Sequence, residues 1–444
     1  MGEVSAGTPR LGVMIDGGGS AEAPVAMFLD NGSSLELTLV VDHAVPLSER
    51  YERWWGHNVL YMDDPDRTRR SYEPPRSLGF RDSYGTLVLV GCRSTDSRTA
   101  SGASGHGKLV ANFAVIDGRW LDYEQINGLR SDAPGVAAWT RMSGIRVDVQ
   151  RDHRRRAKSV RMDLESPADI RLASAMNLGM HVHWRTDNPR GRSSAEEVVQ
   201  VQTLVRDRRA WDDHLDLHGA VLDLAAISAW EPFGFNSIEV QIDNDRVRTG
   251  AETYSDPQWR KVATHRLIKH EPWEKEPRFL FPFANVGPRG VKRWLRVRRD
   301  YKQVIDALVR VLYSDDRWSL GSVVQSGIAL EALGYLIDIQ KNHGAHLNSR
   351  EQINFKPGLH VILDDMAVVP LDDPEAWIER SDAAYMSAKH VDRAMPDSLD
   401  LINTLRENLL VLRFWIGLQI GVPAATLKDL LQRDQLKSQF VALD

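Results

Sequence analysis

The chain has 444 residues, 42% of them apolar and 26% charged, with a formal net charge of −5 at pH 7. This length exceeds one ordinary hydrophobic core, so we expect two or three domains. The small negative charge argues against a protein that coats nucleic acid through bulk charge, and it leaves room for a local basic site. The single cysteine, Cys92, excludes an intrachain disulfide framework and a cysteine-based zinc cluster.

Targeting signals are not visible in the sequence. Residues 1–20 lack the basic and apolar regions of a secretory signal. No apolar run approaches the roughly 18 residues that a membrane span needs. We therefore expect a cytoplasmic protein without a membrane partner.

The first part of the chain has the period-two pattern of β-strands. Leu35, Leu37 and Leu39 alternate with polar residues directly after Asn31-Gly32, a hairpin signal. Similar runs follow at 86–90, 109–116, 145–149, 160–164, 180–184, 198–205, 214–224 and 238–242. Short strands separated by turn residues indicate an antiparallel sandwich or a pair of packed sheets.

The period becomes helical after residue 290, beyond a proline-rich connector at 250–290. Helices are predicted over about 297–312, 319–340, 356–366, 373–390, 398–420 and 424–436. Asp373-Pro374 has the form of a helix start, and Gly421 with Pro423 has the form of a helix stop. The predicted fold is α+β, with a β-rich, sandwich-like domain over 1–285 and an all-α bundle over 290–444.

Particular segments of both parts resemble a known family. The helical segments are Ser-Gly-Ile-Ala-Leu-Glu-Ala-Leu-Gly at 326–334, Tyr385 with Lys389-His390-Val-Asp-Arg393, and Leu-Arg-Phe-Trp-Ile-Gly-Leu-Gln-Ile-Gly-Val-Pro at 412–423. They resemble the HEPN domain of ApeA-like anti-phage proteins. Segments 24–39 and 128–144, the latter with Trp139, are similar to the β-rich domain that precedes it in that family.

The resemblance implies an abortive-infection effector, triggered by a phage-derived signal, that cleaves cellular RNA or tRNA as a metal-independent endoribonuclease. It implies no cofactor, and a homodimer or higher homo-oligomer that brings two copies of the site to one cleft. The signature of the HEPN domain in that family is an arginine, four to six further residues and then a histidine. An imidazole takes the proton of the ribose 2′-OH near neutral pH, and a cation offsets the charge that develops on the phosphate.

The chain departs from that signature. Counting back from His390 places the arginine at Tyr385, Ala384 or Ala383, none of which is basic. Arg380 lies ten residues before His390, about 15 Å along a helix, which is too far for the ordinary role.

Other residues near His390 are candidate substitutes. Lys389 is adjacent but points about 100° away around a helix. Arg393 and Ser387, three residues to either side, share the histidine's face if the helix continues, and Ser387 is a candidate to hold the imidazole. Glu331 is either a buried partner of the active-site cation or a glutamate at a helix edge. The alternative for the whole group is structural, with His390 capping the helix and its cations complementing the helix dipole.

Two basic runs are candidate RNA contacts or simply solvated faces. The better one enters the bundle and comprises Arg289, Lys292, Arg293, Arg296, Arg298, Arg299 and Lys302, with Trp294 among them; we assign RNA binding to Arg293, Arg296, Arg299 and Lys302. The other comprises Arg151, His153, Arg154, Arg155, Arg156, Lys158 and Arg161.

Two histidine groups have spacings that permit a metal site, namely His181 with His183 and His214 with Asp216 and His218. Core or surface histidines are the simpler interpretation, and we predict no metal. Two function classes stay open: an RNA-cleaving effector restrained by its β-rich part, and a degenerate HEPN bundle that only dimerises or docks a partner.

Overall fold

The computed structural model describes residues 4–17, 23–41, 51, 53–55, 73–100, 103–119, 122–187, 190, 194–250 and 253–442. The strands are β1 (Arg10–Ile15), β2 (Val25–Asp30), β3 (Leu35–Val41), β4 (Ser77–Asp82), β5 (Gly85–Val90), β6 (Arg93–Ala100), β7 (Ala103–Ala111), β8 (Phe113–Ile116), β9 (Gln125–Asp132), β10 (Ile145–Arg151), β11 (Ala157–Leu164), β12 (Ile170–Arg171), β13 (Gly179–Asp187), β14 (Ser194–Ala210), β15 (Ser237–Gln241) and β16 (Arg260–Ala263). The helices are α1 (Pro134–Thr140), α2 (Trp211–Ala229), α3 (Phe283–Asp300), α4 (Lys302–Leu312), α5 (Leu320–Lys341), α6 (Phe355–Asp364), α7 (Pro374–Lys389), α8 (Ser398–Gln419) and α9 (Ala424–Leu431).

An antiparallel sheet of about fourteen strands precedes the C-terminal helices, which confirms the α+β class. The chain divides into two compact units that alternate along the sequence. Unit 1 comprises Met1–Asp132, Val201–Leu217 and Phe235–Lys269, and unit 2 comprises Ala133–Gln200, His218–Gly234 and His270–Asp444.

Unit 1 is built on a long antiparallel run of strands. Its strand order is β9-β15-β16-β8-β5-β4-β1-β2-β3-β7-β6, and each neighbouring pair in this run is antiparallel. The predicted hairpin at Asn31-Gly32 is confirmed, since β2 and β3 pair across it and Gly32 has a φ of 88°. Opposed residues such as Phe28 and Leu37 are fully buried, because alternate side chains of both strands face the core.

The segment 214–224 is a helix, so the prediction of a strand there was wrong. It lies in α2, whose last half is a nearly unbroken buried run that includes Val221, Leu224 and Ile227. The buried second half of this helix shows no polar face, and the short alternation at its start imitated a strand.

His214, at the start of this helix, is buried as a neutral imidazole in unit 1. Its Nε2 donates to the carbonyl of Ile126 at 3.2 Å, so its Nδ1 accepts from the Thr203 hydroxyl at 2.7 Å. Burial lowers the pKa of His214 to about 4.

Acid is therefore expected to destabilise the fold through His214. The folded-state pKa of His214 lies below the ordinary 6.5. The contribution of its neutral imidazole to the free energy of unfolding is therefore complete above pH 6.5 and is lost as the pH falls toward 4. Relative to a His214→Gln variant, the wild type should lose roughly 2 kcal/mol of unfolding free energy between pH 7 and pH 4.5. Urea unfolding of both proteins across this pH range measures the loss. Unfolding free energies that change in parallel with pH in the two proteins would contradict the prediction.

Helices dominate unit 2. The predicted starts at Ser319 and Asp373 are confirmed, since their side chains accept from the backbone N–H groups of Ser322 and Ala376. Gly421, with a φ of 92°, follows the end of α8. The single helix expected over 297–312 is two helices, α3 and α4, which meet at Tyr301.

Buried polar contacts join the helices of unit 2. The Asn408 amide of α8 accepts from Trp377 Nε1 and the Ser381 hydroxyl of α7, and it donates to Ser326 of α5 at 3.1 Å. Arg413 of α8 forms a bidentate ion pair with Asp434 at 2.9 and 2.8 Å. Such satisfied buried groups favour one arrangement of the helices over others.

Candidate functional site

The histidine that the sequence singles out lies at the end of α7. His390 occupies the C-cap position, where its backbone N–H donates to the carbonyl of Met386 at 3.0 Å. Its imidazole is exposed and, among the described residues, makes no side-chain hydrogen bond or ion pair. The position fits the capping interpretation, and the open ring is accessible to a ligand.

Arg393 does not share a helical face with His390, because α7 ends at Lys389. The chain turns there, and the N–H of Arg393 donates to the carbonyl of His390 at 3.1 Å. Both side chains are exposed at this turn. The shared face was expected only if the helix continued past His390, and this condition is not met, although the two residues remain neighbours.

Lys389 belongs to a polar cluster between α7 and α5. The Tyr385 hydroxyl donates to Glu331 Oε2 at 2.7 Å, and Lys389 Nζ lies 3.4 Å from the Tyr385 hydroxyl and 3.9 Å from Glu331 Oε2. The ammonium also lies 4.6 Å from the centroid of the Tyr385 ring. Glu331 is thus half-exposed and pairs with a cation of the neighbouring helix. It is both a partner of a cation and a glutamate at a helix edge, the two alternatives that the sequence left open.

Glycine explains why α5 and α7 approach closely at this cluster. A Cβ at Gly327 would lie 2.2 Å from Cδ2 of Tyr385, which is far inside van der Waals contact. Only glycine therefore lets the Tyr385 ring lie against α5 and present its hydroxyl to Glu331. Burial, followed by the hydrogen bond to the Glu331 carboxylate, raises the pKa of Tyr385, so the hydroxyl remains a proton donor at neutral pH.

Two other predicted residues have different partners. The buried Ser387 hydroxyl donates to the carbonyl of Ala384 at 3.1 Å and contacts Met395 Sδ at 3.4 Å, so it does not hold the imidazole. Arg380 pairs with Glu407 of α8, with its Nη2 at 3.0 and 2.9 Å from the two carboxylate oxygens. The structure therefore brings Lys389 and Glu331 together, leaves the His390 imidazole without a hydrogen bond or ion pair among the described residues, and places Arg380 in a separate ion pair.

A histidine that the sequence analysis missed lies in the loop after α5. His346 Nδ1 contacts Asp338 Oδ1 at 2.6 Å, and the carboxylate also accepts from the His346 backbone N–H. Burial opposes ionisation of Asp338, but these hydrogen bonds hold its pKa below the usual range. Half of the His346 side chain is exposed. No sequence spacing marks this pair, because the loop geometry brings the two residues together.

Most of the α3 basic run is exposed and makes up the α3 face, whereas Arg298 is half-buried and lies 3.4 Å from Asp223. Arg289, Lys292 and Arg296 are exposed and, within the part of the chain that the structure describes, have no ion-pair partner. Arg293 reaches the carbonyl of Ile420 at 3.5 Å. Arg299 pairs with Asp300 at 2.8 Å, and Lys302 pairs with Asp306.

Trp294 is not part of that face. Its ring is fully buried, and its indole N–H donates to the carbonyl of Ala220 at 2.7 Å. Stacking of a base on Trp294 is therefore excluded, and the face offers cations alone.

The second basic run lies on the ribbon of β10 and β11 in unit 2. Its residues surround the turn and are mostly exposed. One face of the ribbon is apolar, since Val147 pairs with Met162 and Val149 with Val160. Val147, Met162 and Val160 are each about half exposed.

Comparison with known proteins identifies the family. The model of the family described as ApeA N-terminal domain 1 matches residues 29–296. This match covers more than half of the chain. The chain belongs to the ApeA family. No curated protein and no solved structure matches it.

Membership in the ApeA family points to antiviral defence. The matched residues include β3 to β16 and most of α3, while β1 and most of β2 precede them. The match ends before His390 and the Glu331 cluster. The family match therefore covers one of the two basic runs fully, and the other as far as Arg296.

Two remaining features of this ApeA-family chain concern metal binding and membrane association. In the described ranges no three His, Cys, Asp or Glu side chains cluster as a metal site. Among the described helices, α5 is long and apolar enough to cross a membrane. It packs against α4, α6, α7 and α8, and half of that apolar stretch is buried, which is typical of a core helix.

Proposed function

We propose that this ApeA-family protein is a cytoplasmic anti-phage effector whose C-terminal helices form a HEPN-type endoribonuclease. A phage-derived trigger releases its activity on cellular RNA, with tRNA as the first substrate to test. The observation that carries the proposal is the exposed His390 imidazole at the end of α7, directly after Lys389, whose ammonium contacts Tyr385 and Glu331.

The chemistry needs one proton acceptor and one fixed cation. The His390 imidazole takes the proton of a ribose 2′-OH, and the 2′-oxygen attacks the adjacent phosphorus. The bond from phosphorus to the 5′-oxygen breaks, and that oxygen leaves with a proton from water. The Lys389 ammonium or the Arg393 guanidinium offsets the charge that grows on the phosphate oxygens. The products are a 2′,3′-cyclic phosphate and a 5′-hydroxyl.

The α3 face supplies a path for the rest of the RNA. Arg293, Arg296, Arg299 and Lys302 are exposed along one helix and its continuation. Rows of cations bind the phosphate backbone without reading sequence. We therefore expect affinity for RNA that falls with salt.

Dimerisation through the helices is the third element of the proposal. A partly exposed apolar stripe runs along α5 and includes Ile328, Tyr335 and Ile339, on the same side as Glu331. A second copy packed on this stripe covers the apolar surface and brings two Lys389–His390 pairs near one axis.

Charged substitutions on the α5 stripe are expected to separate the dimer. Tyr335→Glu and Ile339→Glu each place a carboxylate in the proposed interface, so both should shift the protein from dimer to monomer at micromolar concentration. Light scattering after size exclusion measures the mass. Tyr254→Glu, at an exposed tyrosine of unit 1, is the matched control and should remain a dimer. A monomeric wild type that cleaves RNA fully would contradict this element.

A binding module without nuclease activity is the second candidate. The observation that favours it is the absence of an arginine at positions 383–385, together with the engagement of Arg380 by Glu407. Purified protein incubated with total RNA and with tRNA in EDTA, with and without extract from infected cells, decides between the two. Cleavage in EDTA supports the nuclease. RNA that stays intact in every arm supports the binding module.

A further inference from the structure

A cavity of about 510 Å³ lies in unit 2, apart from the Lys389–His390 site. Its walls come from the end of α1, from residues 276–284, and from the end of α9. Phe279 and Leu430 supply apolar surface, and Arg141, Arg278 and Arg433 supply charge. Trp139 also lines the cavity, but this residue is only 1% exposed. The volume lies within the range of small-molecule sites.

The frame of this cavity is rigid. Trp139 is buried, its indole N–H donates to the carbonyl of Phe281 at 2.8 Å, and its ring meets Phe283 edge to face. On the opposite wall Asp434 is held by Arg413 through two hydrogen bonds of 2.9 and 2.8 Å. A site whose walls are already ordered loses little conformational entropy when a ligand enters.

The charge of the lining is unbalanced. The side chains of Arg141, Arg278 and Arg433 are exposed, and over the described residues none makes a hydrogen bond or an ion pair. Of the two carboxylates in the lining, Asp434 is neutralised by Arg413, which leaves Glu276 against three guanidinium groups. Guanidinium groups bind phosphate oxygens through paired N–H donors, so this lining favours an anion with several such oxygens.

We propose that this cavity binds a nucleotide, with its phosphates on the three arginines and its base against the partly exposed wall of Phe279 and Leu430. The cationic rim and the apolar, aromatic wall together favour a nucleotide over free phosphate. Free phosphate has no aromatic group that could pack against the wall. The site is separate from RNA cleavage and does not depend on it. It is a candidate for a small-molecule signal acting on α8, since Asp434 of the lining is bonded to Arg413 of that helix.

Calorimetric titration of the full chain tests the proposal with ATP, adenosine, tripolyphosphate and inorganic phosphate. ATP should bind once per chain, tripolyphosphate at least about tenfold more weakly, and adenosine not measurably. Arg278→Gln with Arg433→Gln should weaken ATP binding by at least about tenfold, since each removes charge-assisted hydrogen bonds. Glu276→Gln should strengthen it, because the opposing carboxylate is removed.

The matched control is Arg350→Gln, an exposed arginine in a loop outside the cavity, which should leave ATP affinity unchanged. Circular dichroism shows whether each variant is folded. No heat of ATP binding at millimolar concentration would overturn the proposal. Equal affinity for tripolyphosphate and ATP, or ATP affinity that is the same in the cavity variants and the control, would also overturn it.

Discussion

Replacing His390 with alanine is expected to lower RNA cleavage by about 10²-fold or more, which is the usual effect of losing a positioned general base. Folding should change little, because the imidazole is exposed and contributes few packing contacts. Initial rates on tRNA in EDTA, with equal amounts of folded wild type and variant, measure the effect.

Neighbouring substitutions sharpen this test. Arg393→Ala should cost about as much as His390→Ala, because both residues are exposed at the same turn. Arg380→Ala should cost less activity, since its guanidinium is engaged by Glu407 on another helix. His346→Ala is the matched histidine control, because His346 is held by Asp338 outside the proposed site. A folded His390→Ala protein that cleaves at the wild-type rate would remove His390 from the mechanism. Loss of activity in His346→Ala alone would transfer the role of base to His346.

Replacing Arg413 with methionine is expected to lower the free energy of unfolding by about 3–5 kcal/mol, the cost of leaving one partner of a buried ion pair uncompensated. The Arg413 side chain is 0% exposed and that of Asp434 is 2% exposed. Arg413 also donates to the carbonyls of Ile227 and Ser228 at 2.8 Å, and both would lose this partner. Chemical unfolding followed by circular dichroism measures the change.

The matched control is Arg161→Met. Arg161 pairs with Asp163 at 2.9 Å on the exposed β10–β11 ribbon, so its loss should cost less than about 1 kcal/mol. The double variant Arg413→Met with Asp434→Leu should regain part of the loss, because no charge is then left buried. An Arg413→Met protein as stable as the Arg161→Met protein would contradict the role assigned to the pair.

Local signals in the sequence predicted much of the fold. The Asn31-Gly32 turn, the caps at Ser319 and Asp373, and the stop at Gly421 act within a few residues, so their effect is visible without tertiary structure. The segment 214–224 was predicted wrongly because its second half is buried throughout and so lacks an amphipathic period. The alternation of the two compact units along the chain was also not predictable, since it depends on pairings between distant strands.

The candidate site was predictable only in part. The Lys389-His390 sequence marks the end of α7, but the close approach of Gly327 to Tyr385 arises from helix packing. The pairing of His346 with Asp338 likewise needs the loop after α5. Trp294 was grouped with the cations around it, whereas its own position on α3 faces the core.

Cleavage of a tRNA with a single 2′-deoxy nucleotide at the mapped cut site tests the central claim most directly. The account predicts that this substrate stays intact while the all-ribose tRNA is cut to a cyclic phosphate or 3′-phosphate end, because the 2′-oxygen is the nucleophile that His390 activates. Cleavage of the deoxy substrate at the same position and rate would contradict it.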